Sequence, residues 1–146
     1  LKCLRLVYER QVIREKAPKY LNGHRISKAE DVYELMCDLQ LEGKEHFIVL
    51  HLNNKNGIVC IDRVSTGSLN QSVVHPREVF KGALLSSAAA LILVHNHPSG
   101  DPEPSPEDME ITKRLRETGD LLGIKVLDHV IIGEGRFISF AERGLI

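Results

Sequence analysis

Residues 88–108 of this chain read AAALILVHNHPSGDPEPSPED. The apolar run at the start of this stretch predicts a buried strand. Because side chains alternate between the two faces of a strand, His95 and His97 are expected to point the same way at its carboxyl end. The prolines and the glycine that follow do not suit a helix interior and predict an irregular loop. Functional residues tend to lie on loops of this kind.

The loop is predicted to end at a helix that runs from Pro106 to about Leu122. Ser105 is a favourable N-cap, proline suits the first helical position, and Asp108 falls in the first turn. Two imidazoles and one carboxylate can therefore converge from a strand end and a helix start. They have the ligand type and number of a catalytic zinc site whose fourth position is left for water. Ser105 and Asp108 also have a purely structural interpretation, as a cap and as an acid that interacts with the helix dipole.

The spacing His95-x-His97-Pro98 followed by Ser105-x-x-Asp108 resembles the signature of the JAMM (MPN/JAB) metalloproteins. The fuller string, from residue 95 to residue 108, resembles the RadC branch of that family. The resemblance covers about residues 27–146 and includes three further segments, at 65–70, 74–78 and 127–133.

This resemblance implies a zinc-dependent hydrolase that cleaves peptide or isopeptide bonds. One Zn²⁺ per chain is expected, held by His95, His97 and Asp108, and a peptide or protein substrate is the expected partner. Zinc in such a site lowers the pKa of its bound water to about 7. RadC-like proteins are also often labelled as associated with DNA repair.

The family pattern places a catalytic glutamate at the end of the helix that precedes the first core strand. Glu45 matches this position as the general base, and Glu42 is the alternative. Without the resemblance, Glu45 is better explained as an exposed acid at the start of a strand. The resemblance implies that Ser105 caps its helix and that its hydroxyl, or a loop N–H, is available to hydrogen-bond the oxyanion that develops during attack.

The other polar residues near these motifs are given structural interpretations. Asn96 is expected to point away from the two histidines and to take no part in catalysis. Asp128 and His129 are interpreted as structural, or as orienting a ligand histidine through its free nitrogen. His75 is assigned to a helix start. Three further histidines are expected to lack partners: His24, His46 and His51.

The first part of the chain predicts a strand over residues 1–14 and a loop over 15–25. A capping box at 27–30 predicts a helix that ends at about Leu41, with Gly43 as its stop. An Asn-Gly turn then predicts a hairpin with strands over 47–52 and 58–64.

The second part predicts a helix that starts at 75–78, and two more strands, over 124–132 and 136–140. Gly119 marks either an end of the third helix or a close packing contact. The core-facing residues predicted on the second and third helices are Val79, Phe80, Ala83, Leu84, Ile111, Leu115 and Leu122.

These elements indicate an α/β (α+β) fold in which a mixed β-sheet is flanked by about three helices. The resemblance implies the JAMM/MPN (cytidine-deaminase-like) version of this fold. A single domain over residues 1–146 is expected, with an N-terminal strand and loop over 1–25 and a family-like core over 27–146. The helix-hairpin-helix region that RadC-like proteins often carry is not expected here.

The composition is typical of a globular protein, with 146 residues, 42% hydrophobic and 27% charged. A formal net charge of −1 gives no general attraction for nucleic acid. No apolar run reaches the length of about 18–20 residues that a membrane helix needs. Three widely spaced cysteines favour a reducing cytoplasm, and each is expected to be a small buried side chain.

Two other functions remain open from the sequence. One is a non-catalytic module that docks nucleic acid or protein and carries a structural metal, a site that a fourth protein ligand closes. The position of Glu45 distinguishes this module from an enzyme. The other is a metal-dependent nuclease, suggested by the tripeptide His95-Asn96-His97 but unsupported by any basic stripe. The oligomeric state is not predicted.

Overall fold

A computed structural model of the chain describes residues 24–67 and 74–146. The strand predicted over residues 1–14 lies outside the described residues. The described residues form three α-helices, one 3₁₀ helix and five strands: α1 (Ala29–Met36), the 3₁₀ helix Cys37–Leu41, β1 (His46–Leu52), β2 (Ile58–Thr66), α2 (Pro76–Leu85), β3 (Ala90–Asn96), α3 (Pro106–Leu122), β4 (Lys125–Ile132) and β5 (Phe137–Ser139).

The strands form one mixed sheet in the order β2-β1-β3-β4-β5. Only β3 and β4 run parallel, because α3 connects them as a crossover, and the other neighbours are antiparallel. The predicted mixed sheet with about three helices is therefore confirmed. The buried strand β3 lies at the centre of this sheet, with its carboxyl end beside the start of α3.

Each face of the sheet packs against its own set of helices. One face packs against α1. It consists of Val130 and Ile132 of β4 and of alternate residues of β1 and β3, namely Ile48, Leu50, Leu52, Ala90, Ile92 and Val94. The intervening residues face α2 and α3, and they are Phe47, Val49, Leu91 and Leu93. His95 continues this second set, so it emerges on the α3 side of the sheet.

Gly119 brings α3 close to the sheet. A Cβ atom at this position would overlap the carbonyl oxygen of Ile124 and lie 3.3 Å from the ring of Phe80 on α2. Of the two explanations predicted for this glycine, the close packing contact is confirmed. Gly119 does not mark the end of the helix, which continues to Leu122.

The start and end of α1 differ from the prediction. Lys28 is the N-cap, and the carboxylate of Asp31, not Glu30, accepts hydrogen bonds from the backbone N–H groups of Ser27 (2.7 Å) and Lys28 (3.1 Å). The helix begins one residue later than predicted because this carboxylate satisfies both N–H groups. Gly43 does not stop the helix, which tightens into the 3₁₀ turn at Cys37.

Two leucines predicted to face the core are exposed, Leu84 by 58% and Leu122 by 44%. Each lies in the last turn of its helix, beyond the residues that pack on the sheet. Cys37 and Cys60 are half-buried rather than fully buried. None of the helices among the described residues has the length and apolar character needed to cross a membrane.

His46 and His51 have partners, contrary to the prediction, because both lie on β1, between β2 and β3, and meet side chains from neighbouring elements. Nδ1 of His46 lies 3.1 Å from a guanidinium nitrogen of Arg63 and 3.3 Å from the hydroxyl of Thr66. Nδ1 of His51 lies 2.6 Å from the hydroxyl of Ser86.

Candidate metal centre

His95 and His97 lie at the carboxyl end of β3 and present their Nε2 atoms to each other at 2.9 Å. His95 is completely buried, between Phe47 on β1 and Ile131 on β4 in the strand register. His97 follows the strand, and its N–H donates to the carbonyl of Ile132 at 2.9 Å. The alternation along the strand thus places both imidazoles on the α3 side, as predicted.

Asp108 reaches the same point from the first turn of α3. Its N–H donates to the hydroxyl of Ser105 (3.1 Å), and the N–H of Ser105 donates to its Oδ2 (2.8 Å). This reciprocal capping box fixes the carboxylate at the helix start. Oδ1 then lies 3.2 Å from Nε2 of His95, and Oδ2 lies 3.2 Å from Nε2 of His97.

These three side chains could hold a metal ion. Two ligands of a tetrahedral zinc ion, each about 2.0–2.1 Å from it, lie about 3.3 Å apart. The separations of 2.9–3.2 Å between the neighbouring donor atoms are close to this value. Two imidazole nitrogens and one carboxylate, whose two oxygens each face a different imidazole, therefore fit a small divalent cation.

The loop over residues 98–104 holds the second imidazole in place. The carbonyl of Asp101 lies 2.8 Å from Nδ1 of His97, and since a carbonyl only accepts, this nitrogen carries the proton. In the neutral imidazole Nε2 of His97 then faces the cluster with a lone pair, and in the protonated imidazole it donates to Asp108. The loop is itself attached to the β4–β5 turn, because the N–H of Glu134 donates to the carbonyl of Gly100 at 2.8 Å.

Burial and hydrogen bonding shift the pKa values of the cluster in different directions. Burial holds the pKa of His95 below its ordinary value. Burial also acts to lower the pKa of His97, but hydrogen bonds to Asp108 and to the carbonyl of Asp101 raise it on balance. Burial opposes ionisation of Asp108, yet both imidazoles hold its pKa well below the usual range. Asp108 is therefore an ionised carboxylate at neutral pH.

The structure brings Glu45 to this cluster. Glu45 lies just before β1, two residues before Phe47, which pairs with His95 in the antiparallel register. Glu45 is half-buried, and its charge acts to raise the pKa of each of the two imidazoles. It lines an open groove of about 530 Å³ together with Gly43, Lys44, Thr66, Gly67 and Pro98.

Glu42, the alternative to Glu45, points elsewhere. Its Oε2 lies 3.5 Å from Nε2 of His46, and its side chain is half exposed. His46 belongs to the β1 residues that alternate toward α1, on the other side of the sheet from the imidazole pair.

A second row of residues supports the cluster from behind. Nε2 of His129 on β4 lies 2.7 Å from Nδ1 of His95, which is the contact expected of a residue that orients a ligand histidine. Burial, followed by the charge of His95, holds the pKa of His129 well below its ordinary value. Asp128 instead accepts hydrogen bonds from the hydroxyl of Ser139 (2.6 Å) and the N–H of Ala141 (2.9 Å), so its role is structural.

The sequence reasoning missed Thr112. Its hydroxyl lies 2.6 Å from Nδ1 of His129 and donates to the carbonyl of Asp108 at 2.6 Å. Its position one helical turn after Asp108 indicates that it lies on the same face of α3 as that ligand. The contact with His129 could not be predicted from this spacing, because it depends on how α3 packs against β4. His75 is the N-cap of α2, as predicted, with its Nδ1 accepting from the N–H of Arg77 at 3.4 Å.

Comparisons with known proteins identify the family of this chain. The model of the RadC-like JAB domain matches residues 26–145. A UPF0758 protein of Caldanaerobacter subterraneus is 60% identical over 120 residues, which are 82% of this chain and 52% of the relative. One from Geotalea uraniireducens is 65% identical over 103 residues, 70% of this chain and 45% of the relative. One from Methanosarcina mazei is 54% identical over 123 residues, 84% of this chain and 54% of the relative.

The chain thus spans about half the length of the curated relatives that it matches. The family match extends over α1 to α3 and all five strands, and it includes each residue of the cluster. The chain therefore belongs to the RadC-like JAB domain family.

Proposed function

We propose that this chain is a metal-dependent hydrolase that cleaves peptide or isopeptide bonds, with Zn²⁺ held by His95, His97 and Asp108. The observation that carries the proposal is the convergence of two imidazole nitrogens and an ionised carboxylate, with neighbouring donor atoms 2.9–3.2 Å apart. Groups this close together can bind one cation jointly, and a metal ion would replace the protons that otherwise bridge the imidazoles and the carboxylate. Imidazole nitrogens favour zinc over the oxygen-preferring magnesium and calcium.

The surroundings of the cluster favour a catalytic site over a closed structural one. Among the described residues, the group that could hold a metal contains three ligands, and a structural zinc site is closed by four. Zinc at a three-ligand site acts as a Lewis acid and lowers the pKa of water. The side chain of His97 is 13% exposed, and the open groove beside Glu45 reaches Pro98, the next residue, so substrate would approach from this side.

Glu45 is proposed as the general base. Its charge interacts electrostatically with both imidazoles, and it lies two residues before Phe47, the strand partner of His95. From this place it would accept a proton from the attacking water and deliver it to the leaving amine. The half-buried environment keeps the carboxylate in contact with solvent, which a proton-transfer group needs.

Ser105 is proposed to have two roles. Its hydroxyl oxygen accepts from the N–H of Asp108, which leaves the hydroxyl proton available to a substrate oxyanion. The backbone N–H of Ser105 is already committed to the carboxylate of Asp108. Removing such an oxyanion donor typically lowers the rate by about 10²–10³.

The decisive experiment compares Glu45→Gln with Glu42→Gln in the zinc-loaded protein. Each substitution removes one negative charge from the segment before β1, but the charge of Glu45 acts on both imidazoles, whereas Glu42 contacts His46. Cleavage is measured by mass spectrometry on a peptide mixture of diverse sequence and on lysine-branched isopeptides. Zinc content is measured beside His97→Ala and Asp108→Ala.

The proposal requires zinc in the wild type above the level in both ligand variants, with cleavage abolished by Glu45→Gln and retained by Glu42→Gln. Absence of zinc and of cleavage in the wild type would overturn it. Stoichiometric zinc with no cleavage of any substrate would support instead the non-catalytic module with a structural metal.

A further inference from the structure

A continuous row of hydrogen bonds links His95 to α3 through the side chains of His129 and Thr112. Neither of these residues is a ligand of the proposed metal. Nδ1 of His95 lies 2.7 Å from Nε2 of His129, and Nδ1 of His129 lies 2.6 Å from the hydroxyl of Thr112. That hydroxyl lies 2.6 Å from the carbonyl of Asp108. The row therefore starts and ends on two ligand residues that belong to different elements, β3 and α3.

The directions of these hydrogen bonds follow from the donor and acceptor inventory. A backbone carbonyl only accepts, so the single hydroxyl proton of Thr112 points to Asp108. The hydroxyl oxygen must then accept from His129, which places a proton on Nδ1 of that ring. His129 is completely buried between the rings of Phe47 and Phe140, 5.7 and 4.7 Å away, surroundings that disfavour a cationic imidazole.

In a neutral imidazole one nitrogen donates and the other accepts, so Nε2 of His129 is the acceptor. Nδ1 of His95 must therefore donate to it, and Nε2 of His95 is left with a lone pair. This is the atom that lies 2.9 Å from Nε2 of His97 and 3.2 Å from Oδ1 of Asp108.

We propose that Thr112 and His129 are positioning residues, which hold His95 in the tautomer whose Nε2 lone pair faces the cluster. The effect of these two residues on metal binding rests on the proposed metal centre. The tautomer of His95 does not depend on that proposal. The row also joins the backbone of Asp108 to the ring of His95, so the helix ligand and the strand ligand are held in register with each other.

The test uses Thr112→Val, which keeps the branched shape and removes the hydroxyl, and Thr112→Ser, which restores it. Thr118→Val is the matched control, because the hydroxyl of Thr118 also donates to the carbonyl four residues earlier in α3, Arg114, at 2.8 Å. Zinc affinity is measured by competition with a chromophoric chelator. The protonated nitrogen of His95 is identified by ¹⁵N NMR of the metal-free protein at mildly alkaline pH.

Orienting partners of ligand histidines typically contribute about 10–100-fold to metal affinity. We expect Thr112→Val to bind zinc more weakly by that factor and to lose the single Nδ1–H tautomer of His95. Thr112→Ser should recover both the zinc affinity and the tautomer. Thr118→Val should change neither of them. Thr112→Ala replaces the valine variant if that variant does not fold.

A proton on Nε2 of His95 in the metal-free wild type would overturn the proposal, as would wild-type zinc affinity in Thr112→Val. If the wild type does not bind zinc, the proposed metal centre fails, and the NMR measurement still decides the tautomer.

Discussion

The side-chain amide of Asn96 binds the two peptide groups that flank Glu45. Its Oδ1 accepts from the N–H of His46 at 2.7 Å, and its Nδ2 donates to the carbonyl of Lys44 at 3.0 Å. Asn96 is 1% exposed and lies between the two histidines in the chain. One residue of β3 thus fixes the segment that carries the proposed base relative to the strand that carries the two imidazoles.

We predict that Asn96→Ala lowers the rate of cleavage while leaving zinc affinity within about twofold of the wild type. The buried N–H of His46 loses its partner, which lowers the free energy of unfolding by about 1–3 kcal/mol. Glu45 is then free to move away from the two imidazoles. The measurements are kcat, zinc affinity and chemical denaturation.

Asn53→Ala is the matched control for this variant. Asn53 accepts from the N–H groups of Lys55 and Gly57, both at 2.9 Å, and lies just beyond the other end of β1. Its loss is expected to cost stability but not rate. Equal rates for the two alanine variants at equal folded fraction would show that Asn96 acts on stability alone.

Removal of the metal is predicted to lower the melting temperature. A ligand that binds only the folded state at a hundredfold excess over its Kd stabilises that state by about 2.7 kcal/mol. Differential scanning calorimetry of the zinc-loaded protein, with and without chelator, measures the change. His97→Ala is expected to melt at the same temperature in both conditions, and a chelator effect that persists in this variant would place the metal elsewhere.

Gly133→Ala is predicted to weaken zinc binding without touching a ligand. A Cβ atom at this position would overlap the carbonyl oxygen of Gly100 and lie 2.7 Å from Cδ of Pro102. The loop must therefore shift, and with it the carbonyl of Asp101 that orients His97. We expect about a tenfold loss of zinc affinity and a loss of about 1–3 kcal/mol in stability.

Gly43→Ala is the control, because an added Cβ there has nothing within 4 Å. It is expected to leave both stability and zinc affinity unchanged. Unchanged zinc affinity in Gly133→Ala would show that the loop tolerates the displacement.

The start of α1 is predicted to weaken in acid. The backbone N–H of Ser27, and then that of Lys28, hold the pKa of Asp31 below its ordinary value of 3.8. The pKa of Asp31 is lower in the folded state than in the unfolded state. The stability that its ionised carboxylate contributes is therefore fully present above pH 3.8 and is lost as the pH falls through the folded pKa. NMR titration of the carboxyl group should give a value below 3.8, and Asp31→Asn should remove the acid dependence of amide exchange in α1.

The three ligands could be predicted because each depends on local geometry. His95 and His97 share a face because they are two residues apart on a strand, and Asp108 is held by a capping box within its own helix turn. Turn residues and apolar periodicity similarly predicted the hairpin and the length of α3.

Errors arose where a residue's surroundings come from distant parts of the chain. The periodicity that predicted Leu84 and Leu122 as core residues continues past the point where each helix leaves the sheet. His46 meets Arg63, 17 residues away, and His51 meets Ser86, 35 residues away, contacts that no local pattern encodes.

The sequence by itself determined the mixed sheet, the position of its buried strand and the set of side chains that converge at the strand end, since these follow from spacing within a few residues. Only the tertiary structure brought the charge of Glu45 within electrostatic reach of both imidazoles, and linked Thr112 through His129 to Nδ1 of His95. Those relationships depend on the register of β1 and of β4 against β3, which is set by packing between segments far apart in the chain.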